Sequence, residues 1–169
     1  MRRTSLRNGN LYIRLSKNNT NRKVQAMGVL GLRRHTQKTG DITEYAAITR
    51  LLECGYGVLT PVGQMHRYDL VIEDADGRLW RVQCKTGWLN GDKSKIMFSS
   101  ASTMNYTVKH KGYRGYKGQC EYFAVYVEEL RKVYLISVDE VGISHATLRL
   151  TQSKNNQEKN VRWAKDYEL

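Results

Sequence analysis

The sequence has few of the features that place a chain in a membrane or in an oxidising compartment. Its 169 residues contain no apolar run near the roughly 20 residues that a membrane-spanning helix needs. The N-terminus carries arginines without the apolar stretch of a secretory signal. The three cysteines form neither a CxxC pair nor a disulfide framework. We therefore predict a cytoplasmic protein, with no membrane partner and one main domain.

Acidic residues are missing from the first part of the chain. Residues 1–39 contain ten Lys and Arg and no Asp or Glu, whereas the remainder contains 18 basic and 16 acidic side chains. A second acid-free stretch, residues 93–119, adds six cations. Basic surface of this kind attracts a polyanion, which releases counterions on binding. Because no amphipathic membrane helix accompanies the charge, we predict nucleic acid as the partner rather than an anionic membrane.

The chain divides into a basic N-terminal extension, residues 1–37, and a main domain, residues 38–169. The extension is either an ordered DNA-binding arm or a flexible tail. A helix is predicted to begin near Asp41, because Glu44 follows three residues later as in a capping box. Several apolar residues then follow helical spacing on one face, as in a helix that packs on a core: Ile42, Tyr45, Ala46, Thr49 and Leu52.

Strand patterns dominate the rest of the main domain. The Asp76-Gly77 pair is a strong hairpin signal between two of these strands. Residues 101–119 are polar, basic and glycine-bearing, so we predict a loop there. The predicted strands are 57–62, 68–74, 78–86, 94–100, 121–128, 132–138 and 147–150.

Three polar side chains meet at one edge of the predicted hairpin. Alternate residues of a strand face opposite sides, so Gln83 and Lys85 share a polar face with Arg81. Pairing of the two strands brings Asp69 towards Gln83 and Lys85. The intervening residues are predicted to pack into the core: Trp80, Val82 and Cys84.

This grouping can hold a divalent cation beside a phosphate. Mg²⁺ takes oxygen ligands, and Asp69, the Gln83 amide oxygen and the Cys84 backbone carbonyl supply three, with Mn²⁺ as a possible substitute. Lys85 is placed to orient a water or to stabilise phosphorane charge. Glu44 joins as a further ligand if its helix packs across the sheet. The same spacing also fits a plain ion pair between Asp69 and Lys85, and spacing alone leaves both interpretations open.

The distribution of basic and aromatic residues indicates which surface binds DNA. The segment 108–119, VKHKGYRGYKGQ, interleaves cations with tyrosines and glycines, a combination suited to phosphate contacts and close backbone approach. The predicted DNA-binding residues are Arg33, Arg34, Lys38, Lys93, Lys95, Lys109, Lys111, Tyr113, Arg114, Tyr116 and Lys117.

Residues 38–169 resemble the PD-(D/E)xK nucleases associated with group I introns. The resemblance is carried, in order, by GDITEYAAITRLLECGYGVLTPVG, RYDLVIEDADGRLWRVQCKTG, EYFAVYVEELRKVYLISVDEV, ATLRL and RWAKDYEL. By this resemblance Asp69 matches the aspartate of the motif, Gln83 takes the position of the second acid and Lys85 is the lysine. Glu44 matches a glutamate that many such enzymes carry on a helix.

The resemblance implies an α/β fold with a restriction-endonuclease-like core, in which helices flank a mixed central sheet. It also implies a metal-dependent double-strand DNA endonuclease of the intron-homing type, assembled as a homodimer or homotetramer. Two other functions stay open. One is a Holliday-junction resolvase or repair nuclease, which shares this fold. The other is a DNA-binding protein without catalysis, because Gln83 lowers the charge of the ligand set.

Overall fold

The computed structural model describes residues 36–63, 65–107, 110–152 and 159–169. In these residues one α-helix, α1 (Thr36–Glu53), precedes a series of strands and two short 3-10 helices, Val138–Glu140 and Ala164–Asp166. No helix of the described part is long and apolar enough to cross a membrane. The strands are β1 Gly57–Leu59, β2 Leu70–Glu73, β3 Leu79–Leu89, β4 Lys95–Ser99, β5 Ser102–Thr107, β6 His110–Arg114, β7 Tyr122–Val127, β8 Lys132–Ser137 and β9 His145–Arg149.

Seven of these strands form one mixed sheet, with β3 at its centre. Strands β2 and β4 pair antiparallel with β3, and β7 pairs parallel with it. Strand β1 extends the sheet beyond β2, β9 beyond β4 and β8 beyond β7. The mixed sheet, and its strands near the predicted bounds, confirm the strand pattern.

The long strand β3 changes neighbours along one edge. Its first part pairs with β2 as far as Val82, and its last part pairs with β4 from Gly87 onward. Strand β7 runs along the opposite edge from Val82 to Gly87. In the described sheet, residues 83–86 therefore have a strand partner on the β7 edge alone, and their other edge opens into the space between β2 and β4.

The turn between β2 and β3 confirms the predicted hairpin. Gly77 has φ of 75°, a left-handed conformation that favours glycine. The Asp74 carboxylate closes the turn by accepting hydrogen bonds from the backbone N–H of Asp76 (3.0 Å) and of Arg78 (2.9 Å). The same carboxylate accepts from Trp80 Nε1 at 2.8 Å. These bonds fix the hairpin from which the polar edge residues project.

The sheet buries apolar side chains on both faces. One face carries Phe98, Phe123 and Ile136 in a cluster that irregular segments and the 3-10 helices cover. The other face carries Ile72 and Val82, and α1 packs on it. The prediction that helices flank the sheet therefore holds for one face of the described residues.

Helix α1 differs from its prediction in both its start and its buried face. It begins at Thr36, so Asp41 lies inside the helix and does not cap it. The buried side chains are Thr43, Ala47 and Leu51, spaced by four residues along one stripe. The predicted face is largely exposed, because small side chains at 43 and 47 allow close approach to the sheet. Its larger members are Ile42 at 37%, Tyr45 at 71% and Leu52 at 54% exposure.

Residues 101–119 are not simply a loop. Strands β5 and β6 pair antiparallel in a two-stranded sheet, with register from Ser102 opposite Arg114 to Thr107 opposite His110. The two strands combine tyrosine and threonine with few apolar residues, so the stretch has β-propensity without the alternation that marks a half-buried strand. We refer to β5 and β6 as the basic hairpin.

Candidate active site

Asp69 stands where β2 leaves β3. Its backbone N–H donates to the Val82 carbonyl (2.9 Å), which holds it at the end of the paired region. Its Oδ2 accepts from the backbone N–H of Cys84 (2.8 Å) and from Nε2 of Gln83. The carboxylate therefore occupies the space between β2 and β4, where the β3 edge has no strand partner. The structure thus brings Asp69 to Gln83, as the strand pairing predicts.

The Gln83 amide lies between two oxygens. Its Nε2 donates to Asp69 Oδ2 and to the Cys84 carbonyl, the latter at 3.3 Å. A donor group held between a carboxylate and a carbonyl stands in for a cation, since a cation attracts the same two oxygens. Withdrawal of the side chain, with rotation of the amide by half a turn, would vacate that point and turn Oε1 towards it. The donor set consequently fits a hard divalent cation.

Glu44 faces Asp69 across a cavity of about 330 Å³. Burial, the Asp69 charge and the Asp41 charge, in that order, raise the pKa of the Glu44 carboxyl. The cavity is also lined by His66, which lies just before the strand that follows Asp69. A larger groove, of about 540 Å³, lies elsewhere, between α1 and β8. Size alone does not mark the site.

Burial is the largest influence on the pKa of the Asp69 carboxyl. It raises the pKa of the Asp69 carboxyl, although the Cys84 N–H, the Lys85 charge and the Gln83 amide each lower it. The same burial, with the two carboxylates nearby, raises the pKa of the Cys84 thiol well above its usual value. A site that raises the pKa of a carboxyl by burial favours a bound cation, because the cation offsets the cost of the buried negative charge.

Lys85 projects from the same face of β3 as Gln83. Its Nζ donates to the hydroxyl of Tyr116 (3.0 Å) and lies 4.3 Å from the centre of that ring. The lysine is therefore held by an aromatic side chain rather than in a direct ion pair with Asp69. Its charge still acts on the aspartate, since it lowers the pKa of that carboxyl.

The described residues contain no group of three or more His, Cys, Asp or Glu side chains arranged to hold a metal ion. The candidate site offers two carboxylates, Asp69 and Glu44, and its other oxygens come from the Gln83 amide and the Cys84 backbone. Two of the four candidate ligands are therefore neutral oxygens, one from an amide and one from the backbone. The strand pairing, rather than the side-chain types, reveals this set.

Tyr116 is a correction among the predicted DNA-binding residues. It is 6% exposed and its ring packs edge-on against Phe123 at 5.5 Å between centroids. It therefore cannot stack on a base. The alternation of tyrosine with lysine and glycine suggested an exposed loop. A buried tyrosine whose ring contacts cations gives the same sequence pattern, and the Tyr116 ring contacts Arg67 and Lys85.

The other predicted DNA-binding residues are dispersed over the molecule. Lys38 is exposed in the first turn of α1, Lys93 in a turn at φ of 56°, and Arg114 at the end of β6. Lys95 is half-buried, and Lys117 is exposed with its Nζ 3.5 Å from Asp139. The remaining ones lie outside the described residues or have side chains outside them: Arg33, Arg34, Lys109, Lys111 and Tyr113.

Sequence reasoning missed two arginines beside Lys95. Strand pairing sets Lys95 opposite Arg149, and Arg162 lies at the same cavity of about 160 Å³. The lining contains no acidic residue among those that the structure describes. The two arginines stand far from Lys95 in sequence. The pairing of β4 with β9 brings Arg149 to Lys95, and the bridge between Arg149 and Trp163 brings Arg162 beside Arg149.

Sequence reasoning also missed Arg67. Its guanidinium lies 4.3 Å from the centre of the Tyr116 ring and donates to Ser102 Oγ (2.7 Å) and to the Gly115 carbonyl (2.9 Å). In the sequence, only its position two residues before Asp69 indicated that Arg67 lies near the candidate site. Arg67 therefore connects the segment before β2 to the first residue of β5 and to the residue that follows β6.

A mixed sheet with a parallel β3–β7 pair, covered by a helix on one face, is an α/β fold of the restriction-endonuclease type. A model of the PD-(D/E)XK endonuclease family matches residues 34–169. This match covers most of the chain, so the chain belongs to the PD-(D/E)XK endonuclease family. The predicted family and the restriction-endonuclease-like fold class are thereby confirmed.

A solved structure supports the same assignment. The chain is similar to that of a bacterial homing endonuclease, I-Ssp6803I, with 30% sequence identity and a TM-score of 0.63. The similarity covers 79% of this chain and 88% of the other. No curated protein sequence matches the chain. An endonuclease of this family acts on nucleic acid, and members of the family generally use divalent metal ions.

Proposed function

We propose that this protein is a metal-dependent double-strand DNA endonuclease of the intron-homing type. The observation that carries the proposal is the convergence of Asp69 Oδ2 and the Cys84 carbonyl on the Gln83 amide, at the stretch of β3 that is open between β2 and β4. The similarity to a homing endonuclease supports the choice among nucleases.

Each residue then has a stated part in phosphodiester hydrolysis. Asp69, the Cys84 carbonyl and the Gln83 amide oxygen hold Mg²⁺, or Mn²⁺ in its place, and Glu44 faces them across the cavity. When bound, the cation supplies positive charge to the phosphate and acidifies a water. Lys85 stabilises the negative charge that develops on the phosphate in the transition state.

The substrate is duplex DNA, held by the basic surfaces. Lys38, Lys93 and Arg114 are exposed on the described domain. Lys95, Arg149 and Arg162 line a further cationic pocket for a backbone phosphate. Cutting both strands needs two active sites, so we propose a homodimer or homotetramer whose symmetry places one site on each strand. The mass of the free protein in solution measures this state directly.

A nuclease assay tests the proposed function. The protein is incubated with DNA that carries an intron-insertion site, and separately with a four-way junction, in Mg²⁺ or in chelator. We expect metal-dependent cutting of the linear site, reduced by about 10²–10⁴-fold in Asp69→Ala and Lys85→Ala, the range for loss of groups that stabilise a transition state. Asp76→Ala and Lys165→Ala, an exposed carboxylate and an exposed ammonium away from the cavity, serve as matched controls.

The assay separates the alternatives as well. Preference for the junction would make the protein a resolvase. Tight binding to DNA without cutting in any metal would make it a binding protein, and the amide of Gln83 in place of an acid would then be the physical reason. Equal cutting by wild type and both active-site variants would rule out the assigned residues.

A further inference from the structure

Tyr116 holds two cations that belong to different parts of the molecule. Lys85 reaches it from the candidate active site, with Nζ 3.0 Å from the hydroxyl and 4.3 Å from the ring centre. Arg67 reaches it from the entry to β2, with its guanidinium carbon 4.3 Å from the ring centre. The tyrosine is almost fully buried and packs on Phe123. The ring is thus a fixed platform rather than a mobile surface group.

The position of a lysine ammonium depends strongly on such a platform. A lysine side chain has four rotatable bonds and loses rotamer entropy when it is ordered. A hydrogen bond to the hydroxyl and an interaction with the ring face together favour one placement of Nζ. No carboxylate competes for Lys85 among the described ion pairs. Of the described groups around Nζ, Tyr116 supplies the hydrogen bond and the nearer ring, whereas the Phe123 ring centre lies 6.0 Å away.

Arg67 fixes the platform to the basic hairpin. Its N–H groups donate to Ser102 Oγ at the start of β5, to the Gly115 carbonyl just after β6, and to the Gln119 side chain. These acceptors are neutral, and the guanidinium joins the start of β5 to the residue after β6. Through these hydrogen bonds the two strands of the hairpin help to hold Arg67, and with it the Tyr116 ring, in place.

We propose that Tyr116 is the positioning residue for Lys85, and that Arg67 couples this position to the basic hairpin. The inference rests on the proposed function for the part that Lys85 plays in cleavage. Its structural content, that the Tyr116 ring and hydroxyl fix Nζ, stands apart from that function. The basic hairpin, through Arg67 and Tyr116, thereby helps to hold the lysine in the place where it meets the phosphate.

Tyr116→Phe tests the hydroxyl and has a matched control in the same core. Tyr134 is fully buried and its hydroxyl has no hydrogen-bond partner among the described residues, so Tyr134→Phe removes a buried hydroxyl without breaking a hydrogen bond. We expect Tyr116→Phe to lower the single-turnover cleavage rate about tenfold, as loss of a hydrogen bond to a charged group does. The Kd for DNA stays unchanged, and Tyr134→Phe leaves both unchanged.

Arg67→Lys tests the coupling. Lysine keeps the charge but lacks the planar fork that reaches several acceptors at once. We expect the cleavage rate to fall about as far as in Tyr116→Phe, with thermal melting to show that the variant is folded. A rate equal to that of wild type would overturn the coupling to the hairpin.

A spectroscopic readout separates this inference from the proposed function. In protein labelled with ¹³C-lysine, the ring current of Tyr116 shifts the ε-methylene signal of Lys85, which Lys85→Arg identifies by its loss. The shift is reduced in Tyr116→Phe, which keeps the ring but loses the hydrogen bond, and is lost in Tyr116→Leu. An ε-methylene signal that is the same in wild type and Tyr116→Leu would overturn the positioning role, even in an active nuclease. The expected shifts in a protein that cuts no DNA would sink the proposed function and leave the placement of Lys85 on Tyr116 standing.

Discussion

One oxygen atom organises the candidate site at the scale of single residues. Asp69 Oδ2 accepts from both the Cys84 N–H and the Gln83 amide, so the carboxylate is held without the pairing to Lys85 that its spacing allowed. An asparagine at this position can present its one carbonyl oxygen to the same two donors. The negative charge of Asp69 can therefore be removed while its hydrogen bonds are kept.

Asp69→Asn is expected to stabilise the metal-free protein at neutral pH. Burial raises the pKa of the Asp69 carboxyl above its ordinary value of 3.8. In the pH range between the ordinary and the raised pKa, the folded state therefore binds more protons than the unfolded state. Stability accordingly falls with rising pH there and stays reduced above it. The substitution removes this cost, and also the Asp69 charge that helps to raise the pKa of Glu44. Urea unfolding in chelator from pH 4 to pH 8 measures the difference.

Asp74→Asn provides the control of opposite sign. Hydrogen bonds from Trp80 and from two backbone N–H groups lower the pKa of the Asp74 carboxyl, so its stabilisation is present above the ordinary value and is lost as the pH falls through the lowered one. We expect this variant to be less stable than wild type at neutral pH. The same direction of change for both variants would contradict the assignment of their environments.

At the scale of elements, α1 shows why the buried face of a helix is hard to predict from composition. Its exposed face carries the larger apolar side chains, Tyr45 and Leu52 among them, whereas the buried stripe runs through Thr43, Ala47 and Leu51. Thr43 shares a hydrogen bond of 2.7 Å with Thr86 of β3, which brings the helix close to the sheet beside Glu44. Small residues allow that close approach. A prediction that looks for the most hydrophobic face of the helix misses them, because Thr43 and Ala47 are only weakly hydrophobic.

The neighbouring leucines of α1 make this difference measurable. Leu51 is fully buried against the sheet and Leu52 is 54% exposed. We expect Leu51→Ala to lower the free energy of unfolding by about 2–5 kcal/mol, because it leaves a cavity in the core. Leu52→Ala should change it by no more than about 0.5 kcal/mol. Equal effects in urea titrations would mean that α1 packs through the other face.

The strands of the seven-stranded sheet were predicted better than the helix, and β3 shows the reason. Its alternation of polar and apolar residues has a period of two, and the Asp76-Gly77 turn fixes the register of β2 against it. Both signals are local in the sequence. The opening of β3 at residues 83–86 is not local, since it depends on where β4 joins after a separate turn.

At the scale of the whole molecule, charge is concentrated outside the described domain. Residues 1–35 contain nine Lys and Arg and no acid. We expect their deletion to weaken DNA binding and to flatten its salt dependence, by up to about 0.9 in the slope of log K against log salt for each phosphate that these cations neutralise. Binding titrations at several salt concentrations test this, with a full-length control in which Arg2, Arg3, Arg7 and Arg14 are Gln. An unchanged slope in the deletion would mean that the extension does not bind DNA.

The sequence by itself determined the strands of the seven-stranded sheet, the hairpin turn, the two basic segments and the residue types of the site, because periodicity, turn chemistry and charge are properties of neighbouring residues. Only the tertiary structure decided that Tyr116 lies in the core under Lys85, that Arg67 joins it to the basic hairpin, and that Gln83 stands between two oxygens. These arrangements join residues distant in the chain or depend on which strand edge is left unpaired. Packing of the whole domain settles both.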